Sequence, residues 1–147
     1  VTVTSYTDTG APGGTVYYSV ETVCTAANTS FTSNLNPQQA AASIQPATPS
    51  NFAETTITNP DGSKFLQFSW SAVPGATSYT ISEGSTSGGP YPNNAPPSQD
   101  GTVTTYTVPV AGIPAGTYYY VIAANSMTAS GTTLTSPQSN QVAVTVP

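Results

Sequence analysis

Apart from the hydroxyls of Ser, Thr and Tyr, side chains able to move protons, attack carbonyl carbon or ligate metals are few in this chain of 147 residues: a single basic residue, Lys64, no His, one Cys and six carboxylates. Without His, the common general base and zinc ligand is missing, and one thiol can form neither an internal disulfide nor a thiolate metal cluster. A glycoside-cleaving pair would need two acids facing each other at about 5–10 Å, one of them with a raised pKa. The acids here are dispersed: Glu54 falls on a strand, Asp61 in a turn, Glu83 and Asp100 at the ends of a loop, and Asp8 and Glu21 near the start of the chain. They read as solvated turn and surface acids. Calcium near Asp61 or Asp8 would have to draw on backbone oxygens, because no EF-hand-like series of acids occurs. No catalytic residue, cofactor site or metal site is predicted. Cys24 reads as a small buried apolar group, with crosslinking between chains as the alternative; no neighbour would turn it into a nucleophile.

Two further features carry recognition chemistry. Asn28-Thr29-Ser30 matches an N-glycosylation acceptor, meaningful only in a secretory host. Nine tyrosines are present, and Tyr17, Tyr91 and Tyr119, set among Ser, Thr, Asn and Gly, are expected at the surface. There they would stack on sugars or form a protein-binding patch at low entropic cost. Tyr91 is the foremost of the three because it sits in a long Gly/Pro loop. The competing role for any tyrosine is packing inside a β-structure.

The net charge of −5 with one cation argues against nucleic acid, whose phosphates require several Lys or Arg, and against anionic bilayers. No apolar run approaches the roughly 20 residues of a membrane-spanning helix, so no membrane insertion is expected. The N-terminus lacks the basic and apolar regions of a secretory signal, so an export address would have been removed or would lie upstream.

Any such surface must be positioned by strands. Charged residues are only 5% of the chain, while Val, Thr, Ile and Tyr abound, a composition that favours β-structure over helix and over disorder. Residues 52–58 form a first strand signal, closed by Asn59-Pro60-Asp61-Gly62, where Pro fixes φ and Gly accepts a positive one. In residues 65–71, Leu66, Phe68 and Trp70 share one face and Gln67, Ser69 and Ser71 the other, the alternation of a half-buried strand. After Val73-Pro74-Gly75-Ala76, Tyr79 and Ile81 mark a third strand. Residues 83–101 form a long loop with a short edge strand near Pro90-Tyr91. Residues 103–108 alternate again, and residues 141–146 place Val142, Val144 and Val146 on one side.

The run from Tyr118 to Ala124 is apolar on both faces, and an internal repeat resolves it. Tyr-Thr, a Pro-x-Gly-Thr turn, a Tyr-rich strand, a polar loop, Ser-Asn and a last apolar strand occur twice, from Tyr6 to Pro46 and from Tyr106 to Pro147. Aligning the Gly-Thr pairs puts Tyr18, Val20 and Thr22 opposite Tyr120, Ile122 and Ala124, and the opposite phase would bury Glu21 unpaired. Tyr118, Tyr120, Ile122 and Ala124 are therefore expected inward. The predicted core is Leu66, Phe68, Trp70, Tyr79, Ile81, Tyr118, Tyr120, Ile122, Val142 and Val144. Short strands with turns every 8–12 residues or so predict an all-β, antiparallel two-sheet sandwich of immunoglobulin-like class. Gln38 to Ser43 comes nearest to a helical period but is too short to stand alone. Residues 44–50, with two prolines, read as a stiff linker.

Leu66-Gln67-Phe68-Ser69-Trp70-Ser71 followed by Val73-Pro74-Gly75-Ala76-Thr77-Ser78-Tyr79-Thr80-Ile81 resembles the second strand, Pro turn and third strand of the fibronectin type III family. Ile113-Pro114-Ala115-Gly116-Thr117-Tyr118 resembles that family's turn into the sixth strand, and Ser136-Pro137-Gln138-Ser139-Asn140 its entry to the last. The Ser87-Gly88-Gly89-Pro90-Tyr91 run is similar to bacterial and phage-type members. The resemblance implies a complete module over residues 47–147 and the last three strands of a preceding one over residues 1–46, either cut from a longer protein or completed by another chain. It further implies a non-enzymatic spacer, scaffold or adhesive module outside a cell, on a cell surface or on a virion, with neighbouring modules as partners. The alternatives are a glycan- or protein-binding accessory module and a fibre subunit completed by a neighbour's strands. The family's Arg-Gly-Asp adhesion loop does not carry over, because the chain has no Arg.

Overall fold

A computed structural model describes residues 5–20, 23–26, 29–32, 40–94 and 99–147, of which 23–26, 29–32, 40 and 99 are described by backbone alone. Asn28, Glu21, Thr22 and Gln38 lie outside the described residues, as does the side chain of Cys24. Among the described residues every regular element is a strand: β1 Gly14–Tyr18, β2 Val23–Ala26, β3 Thr29–Thr32, β4 Ala40–Ile44, β5 Ala53–Thr58, β6 Lys64–Ser69, β7 Ser78–Gly84, β8 Asn93–Asn94, β9 Gln99–Asp100, β10 Thr105–Pro109, β11 Gly116–Met127, β12 Thr133–Thr135 and β13 Val142–Val146. A short edge strand near Pro90-Tyr91 is present as β8, and a second, β9, follows later in the same loop. The polar stretch after Met127 contributes β12, which the sequence pattern did not reveal.

From β5 onward the chain forms two facing antiparallel sheets. One has the order β10-β6-β5; the other runs β12-β11-β7-β8, with β13 also on β11 and β9 also on β7. Turn chemistry sets the hairpins. In Asn59-Pro60-Asp61-Gly62 the Gly62 N–H donates to the Asn59 carbonyl at 2.9 Å and Gly62 takes a φ of +83°, a conformation costly for any residue with a β-carbon. Tyr118 donates its hydroxyl to the Pro114 carbonyl at 2.9 Å, tying the start of β11 back to the preceding corner in the manner of sandwich domains.

Alternation along β6 delivers Leu66 and Phe68 to the core, and Trp70 follows just beyond the strand. Phe68 links the sheets: it stacks on Phe52 at 5.7 Å between centroids and meets Tyr120 from the opposite sheet at 4.7 Å. Trp70 packs on Tyr79 at 5.3 Å, and the buried Tyr79 hydroxyl accepts the Val73 N–H at 2.8 Å. Ile81, Ile122, Ala124 and Val144 complete the buried cluster, with Tyr118 and Val142 half-buried against it. Among the described residues, two buried polar atoms have no hydrogen-bond partner, Trp70 Nε1 and Ser126 Oγ. The alternation assigned to β11 needs one correction. Tyr120, Ile122 and Ala124 are buried, but so are Val121, at 2% exposure, and Ala123. On the side away from β7, residues 121–124 lie between the stretches that pair with β13 and β12, and the segment joining those two strands runs beside them, Ser139 N–H donating to the Ile122 carbonyl and Ser136 N–H to the Ala124 carbonyl.

In the N-terminal segment β1 pairs with β4, Gly14 opposite Ile44 through Tyr18 opposite Ala40. This duplicates β11 on β13, where Gly116 lies opposite Val146 through Tyr120 opposite Val142. β2 and β3 form a hairpin, as the far end of β11 does with β12. Coverage differs between the two. Val20 is 86% exposed, whereas Ile122, its counterpart in the aligned repeat, is 0% exposed.

Phe68 joins both sheets at full burial, so Phe68→Ala is expected to lower the unfolding free energy by about 3–5 kcal/mol. Tyr17→Ala, on an exposed ribbon, is expected to stay within ~0.5 kcal/mol. Urea titration followed by Trp70 fluorescence measures both, and equal small effects would contradict this assignment of the core.

Candidate functional site

The three tyrosines expected at the surface do not share one place. Tyr17 lies on β1 and is 57% exposed. Tyr91 and Tyr119 are half-buried, a correction with a definite cause: both lie at Gly84. Gly84 ends β7 opposite Tyr119, and a β-carbon there would collide with the Pro90 carbonyl and come within 3.3 Å of the Tyr91 ring. The missing side chain lets the loop fold down onto the sheet, so Tyr91 rests against the backbone instead of projecting from the loop. Its hydroxyl donates to Gln141 Oε1 at 2.7 Å. The same oxygen accepts the Gly88 N–H at 2.7 Å, and Gln141 Nε2 donates to Ser87 Oγ at 3.2 Å. One amide thus fixes the loop by three bonds. Sequence reading takes Gln141 only as the beginning of the last strand; a contact some fifty residues away leaves no local signal.

A second surface lies in the N-terminal segment. Tyr6, Thr7, Asp8, Tyr18 and Val20 line an open groove of about 430 Å³. Asp8 holds it together, accepting the Gly10 N–H at 2.9 Å and the Tyr18 hydroxyl at 3.2 Å. Desolvation and the neighbouring Asp8 charge raise the Tyr18 pKa. Tyr6, 85% exposed, served in the sequence only as a repeat landmark.

The described acids are all engaged within their own chain. Asp61 Oδ1 accepts the Ser63 hydroxyl at 2.7 Å and the Ser63 N–H at 2.9 Å, and Asp100 makes the same pair of bonds with Thr102. These donors, the hydroxyl foremost, hold both carboxyls below their ordinary range. Glu54 accepts the Thr56 hydroxyl at 2.9 Å. No group of three or more His, Cys, Asp or Glu able to hold a metal ion occurs among the described residues. The arrangement offers an aromatic and amide surface for contact.

The remaining acid, Glu83, accepts the Tyr120 hydroxyl at 3.1 Å. Burial, then the charge and hydrogen bond of Glu83, push the Tyr120 phenol well above its ordinary value, with smaller contributions from Tyr118 and Glu54. A pKa raised in the folded state means that the fold binds the proton more tightly than the unfolded chain does. The associated stability is complete below about pH 10, the unfolded value, and is lost as pH rises beyond it. Urea midpoints between pH 8 and pH 11 are therefore expected to fall more steeply for the native chain than for Tyr120→Phe; identical slopes would contradict the role given to this pair.

No protein-family model matches the chain, and no curated protein does. Solved structures do. The chicken CNTN1 FN1-FN3 domains superpose with a TM-score of 0.53 at 14% identity, over 96% of this chain and 46% of that one. The chain therefore spans about half the length of that structure. An Fn3-like protein from Clostridium thermocellum aligns at 27% identity over 69% of this chain and 91% of its own, with a TM-score of 0.45. A mutant of FN3tt aligns at 24% identity over 69% and 93%, with a TM-score of 0.43. Together with the two-sheet topology and the tyrosine corner, the superposition on the chicken domains identifies the fold of this chain as a fibronectin type III-like, immunoglobulin-class β-sandwich.

Proposed function

We propose that the chain is a non-enzymatic spacer or scaffold module of a larger extracellular, cell-surface or virion-surface protein, working in series with neighbouring modules. We also read residues 47–147 as one complete module and residues 1–46 as the closing half of another, a reading supported by the duplicated register of β1 on β4 and β11 on β13. The observation that carries the spacer reading is where the sandwich is joined to the rest of the chain. The N-terminal segment meets it beside Met127, at one end of β11, where the Ala129 N–H donates to Thr15 Oγ1. The chain leaves through Val146, which pairs with Gly116 at the other end of β11. Twelve residues of strand lie between, about 36 Å at ~3.3 Å per residue. Tension along the chain therefore runs the length of the sandwich and loads the β5–β6 and β13–β11 ladders in shear, where their hydrogen bonds share the load. A single cation, Lys64, leaves trypsin-like proteases one point of attack, which suits an exposed location. No helix of the described residues is long and apolar enough to cross a membrane.

Pulling the whole chain between its ends in an optical trap is expected to give one cooperative rip for the sandwich, with a contour gain of about 300 Å from roughly 95 residues. Gradual extension without a rip would overturn the spacer reading.

A second reading, an accessory module that binds glycan or protein, is favoured by the convergence of Tyr91, Tyr119 and Gln141 at Gly84. Glycan-array binding by the native chain that is lost in Tyr91→Ala would support it, and failure to bind any glycan would leave the spacer. A third reading, a fibre subunit completed by a neighbour's strands, draws on the exposure of Val20; a monomer by light scattering would remove it.

A further inference from the structure

The N-terminal segment and the sandwich meet through backbone. Val73-Pro74-Gly75-Ala76 has the signature of a type II turn, with the Ala76 N–H donating to the Val73 carbonyl at 3.1 Å and Gly75 at a φ of +76°. The Pro74 carbonyl in this turn accepts the Gly13 N–H of the N-terminal segment at 3.3 Å. A β-carbon on Gly75 would lie 2.8 Å from Gly13 N and 3.1 Å from Pro12 Cβ, and would collide with the Gly13 carbonyl oxygen. Gly13 has no more room on its other side, where a β-carbon would come within 2.8 Å of Pro46 Cα. Linker, segment and sandwich are thus stacked through Pro46, Gly13 and Gly75.

Polar contacts surround this stack. The Ala129 N–H donates to Thr15 Oγ1 at 2.8 Å, and Gln45 Nε2 donates to the Thr135 carbonyl. Both linker prolines, Pro46 and Pro49, are buried. A linker that only tethered two bodies would leave its prolines in water, and relative motion would then be the default expectation for joined domains.

We propose that this is a fixed interface. The Gly75 turn and the β11–β12 hairpin form a socket for the Pro12-Gly13-Gly14-Thr15 base of the N-terminal segment, and the two bodies move as one. The proposal deepens the spacer reading and rests on it: the angle between modules is set by a glycine-on-glycine contact rather than by the stiffness of the linker. The socket is selective by shape. The sandwich's own base reads Pro114-Ala115-Gly116-Thr117, with Ala where the N-terminal segment has Gly13, and an Ala at Gly13 would displace Pro46.

Amide residual dipolar couplings of the full chain test this. In the native chain, the couplings of β1 and β4 are expected to fit the same alignment tensor as those of β5, β6, β7, β11 and β13. Gly75→Ala is expected to reduce the order of β1 and β4 at least two-fold relative to the sandwich. Gly62→Ala is the matched control. Gly62 has a similar φ of +83°, but its β-carbon would meet nothing within 4 Å, so this variant strains a turn without touching the junction and is expected to keep one tensor. Thr15→Val removes the acceptor of the Ala129 N–H without straining any turn and is expected to loosen the junction too, which covers the case in which Gly75→Ala does not fold. Separate tensors in the native chain, or equal effects of Gly75→Ala and Gly62→Ala, would overturn the fixed interface. Either result combined with an intact force rip would leave the spacer reading standing, whereas loss of the rip under a single tensor would do the reverse.

Discussion

The contact of Phe68 with Tyr120, 4.7 Å between ring centroids, is where the two sheets of this protein are held face to face, and most of the rest is arranged around it. A sheet that is apolar on one side is unstable alone; it needs a second apolar face about 10 Å away, with side chains interdigitating between them. Phe68 provides this for the β10-β6-β5 sheet and extends the contact to Phe52 by stacking. Tyr120 provides it from the other sheet, with its phenol held by Glu83, the residue opposite it on β7. With 37% of residues hydrophobic and 5% charged, a small number of large side chains carries the burial, so each counts heavily.

The surface is maintained by different means. Hydroxyls and amides, rather than ion pairs, bind acids and loops in place: Ser63 and Thr102 on their aspartates, Gln141 on the Tyr91 loop. Such bonds within turns are local and largely indifferent to salt, since they do not depend on a distant opposite charge. A protein with one cation has little else to use. The same economy brings two tyrosines and an amide, Tyr119, Tyr91 and Gln141, together at Gly84.

Much of this architecture was legible in the sequence because it is written in local patterns. Leu66, Phe68 and Trp70 alternate with polar residues; Pro60 with Gly62 and Pro74 with Gly75 announce their turns; and the repeated Gly-Thr followed by tyrosines gives the phase of β11 and of the ribbon β1–β4. What was not legible depends on contacts far apart in the chain. Nothing near Gln141 signals that its amide closes a loop fifty residues earlier. Nothing near Gly84 says that Tyr91 will settle on it, which is why Tyr91 and Tyr119 were expected to be more exposed than they are. The burial of Val121 and Ala123 was not legible either, because alternation assigns faces within a strand and says nothing of how far each face is covered. Gly75 is the mixed case: its positive φ could be anticipated from the Pro-Gly pair, whereas its contact with Gly13 could not.

The most direct check of the cross-sheet contact is a double-mutant cycle on Phe68→Leu and Tyr120→Leu in the full chain, with unfolding free energies taken from urea titration. Two aromatic rings meeting across the sandwich should give a coupling energy of about 0.5–1.5 kcal/mol beyond their separate burial. Effects that simply add, to within ~0.3 kcal/mol, would mean that the two rings do not meet and that the sheets are held by something else.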